Sequence, residues 1–256
     1  MLKARKSNRM WNPLVLLKRH PFEVKAFFDY SLVLTYALPA DFLQGLLPSR
    51  LEVDRCGELG FLAIALVKTR QLRPASLPKF LGQSFFLSGY RIFCRFPVEG
   101  RRYRGLKILR SDTDRWTMVL LGNLMTHYSY RKVSIEEHRA NSNLKLQVKS
   151  QDGQTDLTVR VALDQAELPP DTPFADWREA RKWCGPLPFT FSPEKETGKM
   201  VVVEGVRSEW QPQPVKATVD RISFFDQAVF RGITPVLANA FYTERIPYSW
   251  KAGVLK

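Results

Sequence analysis

Lys107 is the residue whose type fits its surroundings least. It sits in YRGLKILRSDTD (103–114), where strand alternation places Gly105, Lys107 and Leu109 on one face and Leu106 and Ile108 on the other. Lysine is depleted in strands and costly to bury while charged, so the amine either points to water or is buried for a chemical reason. An exposed Lys107 would be solvated or paired with an acid such as Glu99 or Asp112. Arg104 and Arg110 are near in sequence, but alternation puts both on the opposite face. Tyr90 and Arg91 precede Lys107, and His127 and Tyr128 follow it. These four are candidate substrate-binding neighbours. His127 reads either as a hydrogen-bonded structural histidine or as a pocket donor or proton shuttle. His20, His127 and His138 lack metal-ligand spacing, so no metal site is expected. The chain has no P-loop, no G-x-G-x-x-G after a strand and no G-x-S-x-G elbow, and no cofactor is implied.

The elements that must position these residues read mostly as strands. SLVLTYAL (31–38), GFLAIALVKTRQL, SFFLSGYRIFCRF, RGLKILRS and WTMVLLGNL follow one another as apolar or alternating runs. SDTD makes a turn between the last two. LKLQVKS and DLTVRVAL flank Asp152-Gly153, a strong hairpin signal. KMVVVEGVRSEW and PVKATVDRISFF read as a final pair joined through QPQP. Helices are fewer. PADFLQGLLP makes one or two turns. TPFADWREARKWCG predicts a helix with Thr172 as N-cap, Pro173 at N1 and Gly185 as C′. TPVLANAFYTER repeats that punctuation with Thr234 and Pro235. Hairpin-linked strands with occasional helices predict an α+β, mainly β architecture.

Length and charge bound the partners. The 256 residues are 45% hydrophobic and 25% charged, as expected of a chain with a substantial core. No linker or repeat divides it, so residues 1–20 read as a basic N-terminal arm and 21–256 as a single domain. The formal charge of +14 favours anionic partners. The excess is dispersed and no nucleic-acid motif accompanies it, so no specific nucleic acid is expected, only weak contact of the arm with anionic surfaces. A homo-oligomer is left open. Cys56, Cys94 and Cys184 are far apart and odd in number, which points to a reducing compartment. WNPLVLL is too short for a signal peptide and lacks a cleavage site, and no apolar run approaches the ~20 residues of a membrane helix. A cytoplasmic location is expected.

LPSRLEVD (47–54) after LTYALPADFLQGL, the GRRYRGLKILRSDTD segment and FFDQAVFRGITPVLANAFYTERIPYSW together resemble the acetoacetate decarboxylase-like superfamily. Within it, LSGYRIF, LRSDTDR, GNLMTHYSYR and EGVRSEW resemble a bacterial branch, domain of unknown function 2071. The likeness runs from about Pro21 to Trp250. It implies a large antiparallel sheet closed into a cone-like barrel, with a few outer helices and a central pocket. It also implies a chemistry: the family's Gly-x-x-Lys-Lys-Leu strand carries a lysine that forms a Schiff base with a β-keto acid. On this likeness Lys107 would be catalytic, with its pKa lowered by desolvation or a neighbouring cation. The sequence departs from the family in three places. Ile108 follows Lys107 where a second lysine stands, Ala37 follows Tyr36 where the substrate-binding arginine stands, and no carboxylate lies near Leu62. Two readings follow: a pocket acting on a small carbonyl or carboxylate compound through Lys107, as a decarboxylase-like lyase would, or a non-catalytic module that binds a ligand or partner and has lost that chemistry.

Overall fold

The computed structural model describes residues 13–208 and 210–256. Most of the basic arm lies outside the described residues. The N-terminal half opens with a short helix α1 (Pro13–Leu17), followed by β1 (Val24–Pro39), α2 (Ala40–Leu46) and β2 (Glu52–Val53). Then come β3 (Leu59–Pro74), β4 (Gln83–Val98), β5 (Arg101–Thr113) and α3 (Trp116–Met125). The middle holds β6 (Tyr130–Ala140), β7 (Asn143–Ser150), β8 (Leu157–Ala162), α4 (Trp177–Cys184), β9 (Phe189–Glu194) and β10 (Lys199–Arg207). The chain ends with β11 (Gln213–Pro214), β12 (Lys216–Ile222), β13 (Val236–Trp250) and β14 (Val254–Leu255).

Long strands rich in β-branched and aromatic residues build one mixed sheet of 14 strands. Its path runs β5-β9-β10-β13-β1-β3-β4, and a β4–β5 pairing joins the two ends, so seven strands form a closed ring. β6, β7, β8 and β12 extend from β5 as a second layer. The sheet is antiparallel except at β5, which takes parallel partners in β6 and β9. β1 is 16 residues long, about 50 Å at ~3.3 Å per residue, and irregularities beside Phe28/Tyr30 and Thr35/Tyr36 let it bend round the ring.

Both faces of the ring strands are covered, which explains their near-continuous burial. One face packs against the second layer: Leu32, Leu34, Leu62, Ile64, Tyr90 and Ile92 meet Val133, Leu146, Val148, Val159 and Val161. The other carries Phe28, Val33, Ala63, Ala65, Phe93, Leu106 and Phe241, together with Ala180 and Cys184 of α4.

Several sequence expectations change in the structure, and Ser111–Thr113 of SDTD continue β5 rather than turn. WTMVLLGNL is helix α3, not a strand: an apolar run without polar alternation suits either state, and here Met118 and Gly122, one turn apart, are its buried positions. TPVLANAFYTER is not a helix but the start of β13, which pairs with β1 along nearly its whole length. Its Thr-Pro punctuation serves equally as an extended entry into a strand. KMVVVEGVRSEW and PVKATVDRISFF do not pair with each other, since β10 bonds β9, β13 and β14 while β12 bonds β8. In α4 the N-cap is Asp176 rather than Thr172, its carboxylate accepting from the Glu179 amide at 2.8 Å while Glu179 accepts from Ala175. Gly185 does end that helix, because a side chain there would strike the Arg181 carbonyl. The Asp152-Gly153 hairpin joins β7 to β8 with Gly153 at φ 65°, a left-handed conformation that glycine adopts freely.

Candidate functional site

Every strand of the ring contributes to the wall of one cavity of about 310 Å³. Phe28 and Val33 come from β1, Ala65 from β3, Arg91 and Phe93 from β4, Leu106 and Ile108 from β5, Thr190 from β9, Gly205 from β10 and Phe241 and Tyr248 from β13. One side is closed by α3 through Met118, Leu121, Gly122 and Met125, and another by the segment after α4. The wall is mainly apolar. Its described residues include Arg73, Arg91, Arg207 and His20, but no aspartate or glutamate.

Arg91 is the notable group. It stands on β4 opposite Ile108, beside a bulge: Tyr90 pairs with Arg110 and Arg91 with Ile108, so Leu109 is the extra residue. Its side chain folds back over Gly89, where a Cβ would approach Nε and Nη2 to 3.1 Å. The surface it keeps faces the cavity, and Nε is buried without a hydrogen-bond partner. Among the described residues it has no ion pair, and burial pulls its guanidinium below the usual arginine value. Tyr248, Tyr130 and Tyr128 act in the opposite direction, which places three phenols in its electrostatic surroundings. Tyr128 shares a 2.8 Å hydrogen bond with Thr190, and burial pushes its phenol up to about 12. Two further wall residues have unpartnered buried nitrogens, Nδ1 of His20 and Nε1 of Trp210. Arg73 and Arg207 bond backbone carbonyls, and Arg207 also lies over the Trp210 ring. The cavity thus presents an unpaired cation, orphan N–H donors and a large apolar surface, which suits an anionic or acceptor-rich head on an apolar body.

Of the residues singled out in the sequence, Arg91 and Tyr128 meet at this cavity; Lys107, Tyr90 and His127 are not part of its wall. Lys107 pairs with Ile92 and shares that strand's other face with Cys94, next to the core beneath the second layer. Burial pulls its ammonium below the usual lysine value, with no carboxylate among the causes. Ile108, the next residue, is the one that faces the cavity, since successive residues of a strand take opposite faces. Tyr90 is fully buried, donates to the Thr155 carbonyl at 3.3 Å and stacks on Phe224. His127 has a buried, unpartnered Nε2, and burial, with Lys18 second, lowers its pKa. The Leu109 bulge also returns Arg110 to the Tyr90 face, where alternation alone would not put it, and there it pairs with Asp112 and Asp152.

Sequence reasoning missed His20, Tyr130, Trp210 and Tyr248. They are distant from one another in the chain, and only ring closure brings them to one wall. Of the wall residues, Arg91 and Tyr128 were the ones named from the sequence.

The solved structures that this fold resembles include the acetoacetate decarboxylase of Legionella pneumophila subsp. pneumophila strain Philadelphia 1. It has a TM-score of 0.62 and 10% identity, with 92% of this chain and 88% of that one covered. An acetoacetate decarboxylase-like enzyme from Sphingomonas wittichii RW1 gives 0.58 and 15%, covering 97% and 98%. The enduracididine biosynthesis enzyme MppR, complexed with pyruvate, gives 0.60 and 12%, covering 97% and 93%. At these identities the likeness is one of fold. No curated protein matches the chain in sequence. Residues 27–247 match the profile described as an uncharacterized conserved protein, and the chain therefore belongs to the domain of unknown function 2071 family.

Proposed function

We propose that the ring cavity binds a compact organic acid, with its carboxylate on Arg91 and its apolar part against the phenylalanines and alanines of the wall. The observation that carries this reading is Arg91 itself, an enclosed guanidinium with no acidic partner among the described residues, in a wall whose described residues include no acid. Leaving a buried charge unpaired costs about 3–5 kcal/mol, so such a group persists where a ligand completes it. A guanidinium matches a carboxylate by two parallel hydrogen bonds, and the low-dielectric wall strengthens them. The pyruvate bound by one fold neighbour, a small keto acid, supports the same class.

Binding without imine chemistry is the reading preferred here. A decarboxylase-like role for Lys107 has its lowered pKa in favour, but the side chain is on the strand face away from the cavity. The non-catalytic alternative needs no lysine in the wall. In it, Tyr128 and Thr190 offer hydroxyls beside Arg91, while Tyr90 and His127 hold the surrounding elements.

Titration calorimetry with matched pairs such as octanoate against octanamide and phenylacetate against phenylacetamide tests the proposal. The acids should bind at least tenfold more tightly than the amides, a difference of about 1.4 kcal/mol or more. Equal binding of acid and amide, or none of either, would remove Arg91 as the anchor.

A further inference from the structure

The outer side of the cavity's cover is apolar, which is unusual for an exposed surface. In α3, Trp116 is 64% and Leu120 is 71% exposed, while Met118, Leu121 and Gly122 of the same helix line the cavity. The connection from β3 to β4 adds Phe80, 82% exposed, with Leu77 and Leu81. Gln83 ties the two together, accepting from the Thr117 hydroxyl at 2.8 Å and donating to the Met118 sulfur. These side chains therefore form one protrusion over the cavity, of the kind that marks an interaction surface rather than scattered exposure.

Charge identifies what it meets. From Leu59 to Val98 the chain carries six cations and no aspartate or glutamate, and from Arg115 to Ile135 again no acid. Lys79 and Arg115 are exposed next in sequence to the apolar residues, and the acid the structure joins to this connection is Glu23, whose carbonyl accepts from the Ala75 amide. The short α1 packs on α3, and Lys18, just after it, is exposed. An apolar tip rimmed by cations is the chemistry of a protein that seats at an anionic lipid–water interface. A second copy of this chain would bring the same positive rim against itself.

We infer that the α3 and β3–β4 protrusion docks on an anionic membrane surface, with the cavity cover at the lipid interface. The inference stands on the protrusion alone and does not require the ligand proposed above. If that ligand is right, docking would let an amphipathic acid pass between the lipid phase and the cavity behind α3.

Co-sedimentation with phosphatidylcholine vesicles, with and without phosphatidylglycerol, tests it, using the full chain and the double variant Phe80→Asp/Leu120→Asp. Both residues are exposed and outside the cavity wall, so far-UV circular dichroism should be unchanged. The expected result is binding to the anionic vesicles that the variant weakens at least tenfold, with octanoate affinity unaltered. Absence of binding, or binding that the variant leaves intact, would overturn the inference. A dimer in sedimentation velocity that the variant dissociates would assign the patch to a second copy and overturn it as well.

Discussion

At the scale of single residues, the fold separates two cations that the sequence brings close. Lys107 was visible as an exception to strand composition, yet its face depends on a count of one residue. Arg91 was visible only as one of several neighbours, and what distinguishes it is the lack of a carboxylate partner, which no sequence pattern displays. Borohydride reduction of the protein with pyruvate, acetoacetate and phenylpyruvate should therefore leave Lys107 unmodified by intact-mass and peptide analysis. A reduced adduct on Lys107 would restore the imine reading. The buried histidines set a pH dependence. Burial holds His20 and His127 below the ordinary histidine value. Below about pH 6.5 the unfolded chain thus takes up protons that the folded chain refuses, so stability falls as pH drops through that window. Asp152 and Glu194, whose ion pairs lower their pKa, add to the loss only further down, near about pH 4. Urea unfolding at about pH 7 and about pH 5.5 should show the loss, and His20→Gln/His127→Gln should flatten it. An unchanged slope in the double variant would contradict this assignment.

At the scale of elements, the β5 seam decides whether the ring closes. Here β5 leaves β9 after Leu106 and joins β6 only from Ser111. Gly105 permits the first junction: a Cβ there would lie 2.5 Å from the Phe189 carbonyl oxygen and 2.6 Å from the Phe191 ring. Gly105→Ala should cost about 1–3 kcal/mol, the usual penalty of overpacking, read as a lower urea midpoint. A neutral result would mean that β9 does not hold the seam. The same scale shows what the sequence could tell. Strands with strict alternation or a clear turn were legible, as in LKLQVKS and DLTVRVAL around Asp152-Gly153. The runs that misled were those whose pattern fits two states. WTMVLLGNL is apolar on every side because α3 faces the cavity within and the exposed patch without. TPVLANAFYTER carries helix-start punctuation but is held as a strand by β1, a partner about 200 residues away.

At the scale of the whole molecule, fold class followed from the order of strands and the family likeness, whereas the site needed closure. A formal charge of +14 spread over the chain conceals a more specific fact, that the described residues of the cavity wall include arginines and no acids. On the proposed function, Arg91 is kept unpaired for an incoming carboxylate, at some expense in stability. Arg91→Met keeps an unbranched apolar stem and removes the charge, and replacing even paired buried charges by apolar groups of similar volume is often neutral or stabilising, by up to about 4 kcal/mol. The most direct measurement is one thermal-unfolding series on the native chain and Arg91→Met, each with and without octanoate. Octanoate should raise the melting temperature of the native chain only, while the variant without ligand should melt at the same temperature or higher. A variant that melts lower and is still stabilised by octanoate would contradict it.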